Sequence, residues 1–277
     1  MHQARPIELS GAPTVEVEFI ATREEGALST AIRLIRAMEI LDSRGLPTLR
    51  IFVQLGDGTI GAASVPSGAS KGEHEALELR DTAQSRYGGH GVCEAVANVN
   101  EVIAPSSVGL DATHQSRIDH LMIELDDTAN KANLGAKCHP WRLAGRARAA
   151  ARACRLPLYE YLGGVGARLI SMPIMNVING GRHADSGLDF QEFMIVPVGA
   201  PTFAEALRYG SETFQALKCL LRERKLGTAV GDEGGFAPKL ASNEDALQLI
   251  MLAIERAGFL PGEQIARCNP PSTVLTR

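Results

Sequence analysis

Thr48–Leu55 (TLRIFVQL) and Thr59–Val65 are two runs of β-forming residues held apart by Gly56-Asp57-Gly58. A Gly-Asp-Gly link is a tight-turn signal, so the second run should fold back along the first. From about Ala31 the chain therefore reads as a meander of strands, with helices to follow. His90–Ala104 places Val92, Val96, Val99 and Ile103 at three- and four-residue spacing, which is one face of a helix. Gln115–Leu125 does the same with Ile118, Leu121, Met122 and Leu125. A run of strands followed by helices indicates a small α+β domain.

A second unit begins near Arg168. Met172–Ile178 and Glu192–Val198 read as short apolar strands. Phe203–Leu226 and Asn243–Ala257 read as amphipathic helices, the second with Ser242 or Asn243 as its N-cap. Gln264–Ala266 opens a third strand. The expected fold class is α/β, with residues 31–167 as an α+β domain and 168–277 as a second domain. Residues 1–30 are weakly patterned and read as an extension belonging to neither.

Composition excludes some classes of function. A net charge of −4 gives no general attraction for nucleic acid or anionic membrane. No apolar run approaches the ~20 residues of a membrane helix. The start MHQARPIELSGAP lacks the charged head and apolar core of a secretory signal. Cys93, Cys138, Cys154, Cys219 and Cys268 are odd in number, scattered and without a CxxC, the usage of reduced cytosolic thiols. A cytoplasmic protein is expected.

Four segments carry the chemistry: Pro66–Glu75 (PSGASKGEHE), Met172–His183 (MPIMNVINGGRH), Leu188–Pro197 (LDFQEFMIVP) and Val230–Pro238 (VGDEGGFAP). Taken singly, each has an ordinary reading. A lone DEGG is a solvated turn, a lone SGAS a flexible loop, and His183 or His74 a surface histidine. In this order and spacing, across some two-thirds of the chain, they resemble enolase.

That resemblance implies a three-stranded meander with helices, then an enolase-type barrel that begins with two strands, two helices and another strand. It implies a lyase that reversibly dehydrates 2-phosphoglycerate to phosphoenolpyruvate, a family homodimer, and Mg²⁺ to neutralise an enediolate. An acid must then help hydroxide leave. By resemblance, Glu233 is the proton donor and Glu192 a second acid in its network. Gln191 and His183 contact substrate, and Ser70, in a mobile loop, binds a second metal ion. Two adjacent carboxyl groups can push one pKa upward and keep a proton at neutral pH.

Three departures from the family pattern stand out. Lys137–Arg148 (KCHPWRLAGRAR) lies where enolases carry an apolar helix of the form NAILGVSLAVAR, between intact flanks. A proline in a helix interior costs about 3 kcal/mol and buried unpaired arginines cost more, so a disrupted helix is expected. Codons for Ala-Ile-Leu-Gly-Val-Ser-Leu-Ala, read one base early, can give this segment, which suggests compensating frameshifts. Cys138 and His139 do not form a metal or nucleophile pair, because neighbours on a helix diverge by about 100°. Second, Arg267–Arg277 offers Asn269 or Pro270 where the family has a metal-binding aspartate. Third, a barrel of this kind runs to about 250 residues and eight strands, so roughly 140 residues, with the lysine base and the metal carboxylates, should lie beyond residue 277. An unclosed barrel leaves an exposed edge and half a core. The expectation is an incomplete barrel that is unstable and inactive alone. The alternative is a non-catalytic remnant that at most associates with intact enolase subunits.

Overall fold

A computed structural model describes residues 30–66, 68, 75–81, 86–136, 141–181, 186–231 and 233–268. They form two compact units, one ending at Ala167 and the other beginning at Arg168.

The first unit is built on an antiparallel sheet of order β1-β2-β3. Its strands are β1 (Ile32–Leu41), β2 (Pro47–Leu55) and β3 (Ile60–Val65). The β2–β3 turn closes as the sequence requires. Gly58 takes φ +86°, and Asp57 Oδ1 accepts the Thr59 N–H at 2.8 Å. Asp42 closes the β1–β2 turn by accepting the Arg44 and Leu46 amides, each at 2.9 Å. Leu49, Ile51, Val53 and Leu55, at alternate positions of β2, are fully buried.

Helices cover that face. The helix expected over 90–104 is α1 (Cys93–Ala97), a π-helical stretch (Asn98–Ile103) and α2 (Ala104–Ser107). Val92, Val99 and Ile103 are buried as the periodicity implies. The wider π turn carries Asn100, which accepts from Ala37 N–H at 2.8 Å and donates to Ala37 O at 3.2 Å. It thereby satisfies part of β1's outer edge. Helix α3 (Gln115–Asp126) buries Ile118 and Met122, with Leu121 and Leu125 only partly covered.

Helix α4 (Trp141–Ala153) corrects an expectation. Lys137–Pro140 lie outside the described residues, and the helix starts directly after them. Arg146 is completely buried, yet it is paired: it donates to Ala112 O and to Gln115 Oε1. Arg148 and Arg152 lie on the exposed side and donate to Ala62 O at 3.0 Å and Ile60 O at 2.5 Å. Those carbonyls belong to the edge strand β3, so the arginines satisfy an edge instead of breaking a helix. Arg146→Ala should lower unfolding stability by about 2–4 kcal/mol, because it opens a void and strands a buried carbonyl. Urea denaturation followed by circular dichroism reads this directly; an unchanged midpoint would mean that Arg146 contributes nothing. Helix α5 (Leu158–Gly163) completes the unit.

The second unit has the expected order of strand, strand, helix, helix, strand. Its elements are β4 (Met175–Asn179), β5 (Glu192–Val196), α6 (Phe203–Glu223), α7 (Asn243–Arg256) and β6 (Ala266–Cys268). The sheet order is β4-β5-β6 and both pairings are antiparallel. Thr202 caps α6 through the Glu205 amide at 3.2 Å, and Ser242, rather than Asn243, caps α7 through the Asp245 amide at 3.1 Å. Phe193 and Ile195 of β5 meet Leu217, Leu221, Leu249, Ile250 and Ile254 of the helices in one core. Phe214 stacks on Phe236 at 4.2 Å between ring centroids. Among the described residues the three strands do not close a barrel.

Candidate active site

Three chain segments converge at one end of β4. The first is the strand itself, which ends at Asn179 and turns through Gly180 and Gly181. Gly180 N–H bonds to Gln191 O and Gly181 N–H to Leu188 O, both at 2.9 Å. A Cβ on Gly180 would stand 2.3 Å from Phe190 O, so only glycine permits this approach. The second segment is the start of β5, where Glu192 pairs directly with Asn179. The third is the turn at 231–235, closed by Gly231 N–H to Gly235 O at 2.8 Å. Gly234 there adopts φ +84°. Phe236 then bonds to one edge of the β4 backbone, flanking Ile178, through Phe236 N–H to Val177 O at 2.9 Å and Asn179 N–H to Phe236 O at 2.8 Å. This anchor sets the 231–235 turn beside the strand end and fixes Glu233 near Glu192.

The two carboxyl groups meet in a hydrogen bond. That bond, burial, and the negative charge of Glu233 together push the Glu192 carboxyl up to about 7. Glu192 is half-buried while Glu233 is exposed. One partner is thus withdrawn from water and the other reaches it. Two carboxyl groups in contact cannot both ionise cheaply, so the pair holds one proton close to neutral pH. Chemically, the arrangement is a proton store with a solvent-facing outlet.

Of the residues singled out from sequence, Glu192, Glu233 and Gln191 are brought together. Gln191 directly precedes Glu192, and its Cγ lies 3.0 Å from where a Gly181 Cβ would stand. Ser70, His74 and His183 lie outside the described residues, as do Cys138, His139, Asn269 and Pro270. Asn176 and Asn179 were not legible as site residues. The strand read from sequence stops at Ile178, whereas Asn179 is the completely buried last residue of β4.

The described residues do not fit a Mg²⁺ ion. Their one group of metal-capable side chains is Glu39, Asp81 and Cys93, in the first unit. Glu39 is held there by Arg86 at 2.5 Å, and Asp81 accepts the Cys93 and Glu94 amides at 2.9 Å each. A thiol is also the wrong partner for a hard cation. The cluster is a helix cap and an ion pair. Cys93, Cys154 and Cys219 are free thiols. No described helix is long and apolar enough to cross a membrane.

The chain thus combines an α+β unit with a ββαα-type opening of a barrel, and the second unit carries a carboxyl pair at its strand ends. Residues 32–162 match the family model described as enolase, N-terminal domain, and residues 167–269 match that of the enolase C-terminal TIM barrel domain. The chain is 59% identical over 239 residues to an enolase of Desulfotalea psychrophila, covering 86% of this chain and 56% of the relative. It is 56% identical over 245 residues to enolase 1 of Methylococcus capsulatus, covering 88% of this chain and 58% of the relative. The chain belongs to the enolase family. It spans somewhat more than half the length of these curated relatives.

Proposed function

We propose that this chain carries the proton-donating half of a 2-phosphoglycerate dehydratase, with Glu233 as the acid and Glu192 as the partner that keeps it supplied. The observation that supports this reading is the hydrogen-bonded pair itself, in which Glu192 titrates at about 7. Glu192 thus keeps a proton in contact with Glu233 near neutral pH, and a proton available at that pH is what general-acid catalysis needs. The exposed Glu233 delivers the proton to the departing hydroxyl, and the half-buried Glu192 shares the replacement. Gln191 and His183 are assigned to hold substrate. Ser70 is assigned to the second metal ion. Mg²⁺ is the family's cation, and the described residues provide no ligand set for it.

The domain assignment follows the same reading, with 1–30 as an extension, 31–167 as the enolase N-terminal domain and 168–277 as part of the barrel domain. A cytoplasmic location and a homodimer come with the family. In this reading the 277-residue polypeptide supplies the acid but neither the lysine base nor the metal carboxylates. Loss of single groups of that kind commonly costs about 10²–10⁴-fold, and joint loss should leave nothing measurable. The purified polypeptide is therefore expected to show no rise in enolpyruvate absorbance with 2-phosphoglycerate and excess Mg²⁺. Rates like those of other enolases would show that these residues are sufficient.

A further inference from the structure

Asn243 opens α7 without capping it, since Ser242 accepts the Asp245 amide in that role. Its side chain bonds instead to residues 189–190, the segment that leads into Gln191 and Glu192. Asn243 Oδ1 accepts from Asp189 N–H at 3.2 Å and from Phe190 N–H at 3.5 Å. Its Nδ2 donates to Asp189 Oδ2 at 3.4 Å. These partners fix the amide orientation, because a backbone N–H can only donate, which leaves Nδ2 for the carboxylate. The chain that leaves the acid turn is drawn to the same place. Residues 237–242 run from that turn to α7, and Leu240 N–H bonds to Ser186 O at 3.3 Å. Phe236 fixes one end of this link on β4, and Asn243 fixes the other end on the 189–190 backbone.

We propose that Asn243 is a positioning residue for the Glu192–Glu233 pair: it ties the chain segment entering Glu192 to the one leaving Glu233, and so holds the two carboxyl groups in contact. The inference rests on the same carboxyl pair as the proposed dehydration and adds the residue that sets its spacing. Asn243 acts through the backbone on either side of the pair. A side-chain hydrogen bond is lost beyond about 3.5 Å, so a small drift between the two segments ends the contact between the carboxyl groups. Among the described residues, Glu233 is the charged group that acts on Glu192.

The Glu233 hydrogen bond is the largest of the causes that hold the Glu192 carboxyl up at about 7, ahead of burial and the Glu233 charge. Parting the two groups should therefore lower the Glu192 midpoint toward the ordinary carboxylate range. The test is a pH titration of the Glu192 side-chain carboxyl by ¹³C NMR on the 277-residue chain, with urea melts read alongside. Asn243→Ala should lower the Glu192 midpoint by about half a pH unit or more. Asp189→Ala, which removes only the Nδ2 bond, should lower it by less. Ser242→Ala is the control: it loses the cap of the same helix, so it should lower the urea midpoint while leaving Glu192 where it was. A folded Asn243→Ala chain with an unchanged or higher Glu192 midpoint overturns the proposal. So does an equal fall in Ser242→Ala, since any loosening of the start of α7 would then suffice. If Asn243→Ala does not fold, Asp189→Ala decides by the same criterion. No turnover enters this readout. Failure of the dehydratase reading would leave the titration result standing, and an unmoved midpoint would leave the dehydratase reading standing.

Discussion

Gly61→Val should unfold the first unit under conditions where the parent chain is stable. Helix α4 crosses β3 at this glycine with backbone against backbone. A Cβ on residue 61 would lie 2.3 Å from Gly145 O and 2.4 Å from Ala149 N, distances that atoms do not tolerate. Neither atom can rotate away, because both belong to the helix backbone. The helix would have to lift, withdrawing Arg148 and Arg152 from the β3 carbonyls and Arg146 from its buried partners. Overpacking alone costs about 1–3 kcal/mol, and the lost contacts should carry the total beyond roughly 4 kcal/mol. Whole domains are stable by only about 5–15 kcal/mol, so a loss of this size takes a large share of the margin. Gly166→Ala is the matched control, since nothing stands within 4 Å of its Cβ position. Urea melts should show the control near the parent and the Gly61→Val midpoint at much lower urea. A Gly61→Val chain with the parent's midpoint would mean that α4 does not sit on β3 in solution.

The segment over Gly61 also shows where reading the sequence succeeds and where it stops. The meander was legible because Gly-Asp-Gly dictates a reversal and alternate residues of β2 are apolar. The order of elements in the second unit was legible from period, while the α7 cap stayed open between Ser242 and Asn243 until the structure showed Ser242. Helix α4 was misjudged for a physical reason. Periodicity shows that Arg146 faces inward, but cannot show that a carbonyl at Ala112 and a side chain at Gln115 wait for it across the fold. Partners distant in sequence decide whether a buried charge is tolerable. The π turn at Asn98–Ile103 was invisible for the same reason, its Asn100 being matched to Ala37 on another element.

The site divides along the same line. Glu192 and Glu233 were named from motifs, and the motifs hold because glycines at 180, 181 and 234 permit close turns and a left-handed backbone. What brings the two carboxyl groups into contact is the Phe236 anchor on β4, a pairing that no local pattern encodes. The register shift between Asn176 and Ile178, which sets Asn176 opposite Met194 and Asn179 opposite Glu192, is equally silent in sequence. One extra residue in a strand leaves composition and periodicity nearly unchanged, yet it reverses every side chain beyond it.

Placed in a complete barrel, Glu233→Gln should cost more in rate than any other single change described above. The suitable protein is a chimera in which residues 1–268 of this chain continue into the remaining barrel of the Desulfotalea psychrophila enolase. The two share 59% identity over the matched region, so the junction joins closely related cores. Glutamine keeps the shape of Glu233 and its ability to bond to Glu192, but has no acidic proton to give. Hydroxide is a poor leaving group, and removing its acid should lower kcat about 10²–10⁴-fold with little change in KM. Glu192→Gln should cost less, because Glu233 remains present but loses the neighbour that shares its proton. The double variant should be scarcely worse than Glu233→Gln alone, since groups acting as one unit lose their function once. Strictly multiplicative losses would instead describe two carboxyl groups that touch but work separately. A Glu233→Gln chimera at full rate would remove the acid from the proposed mechanism altogether.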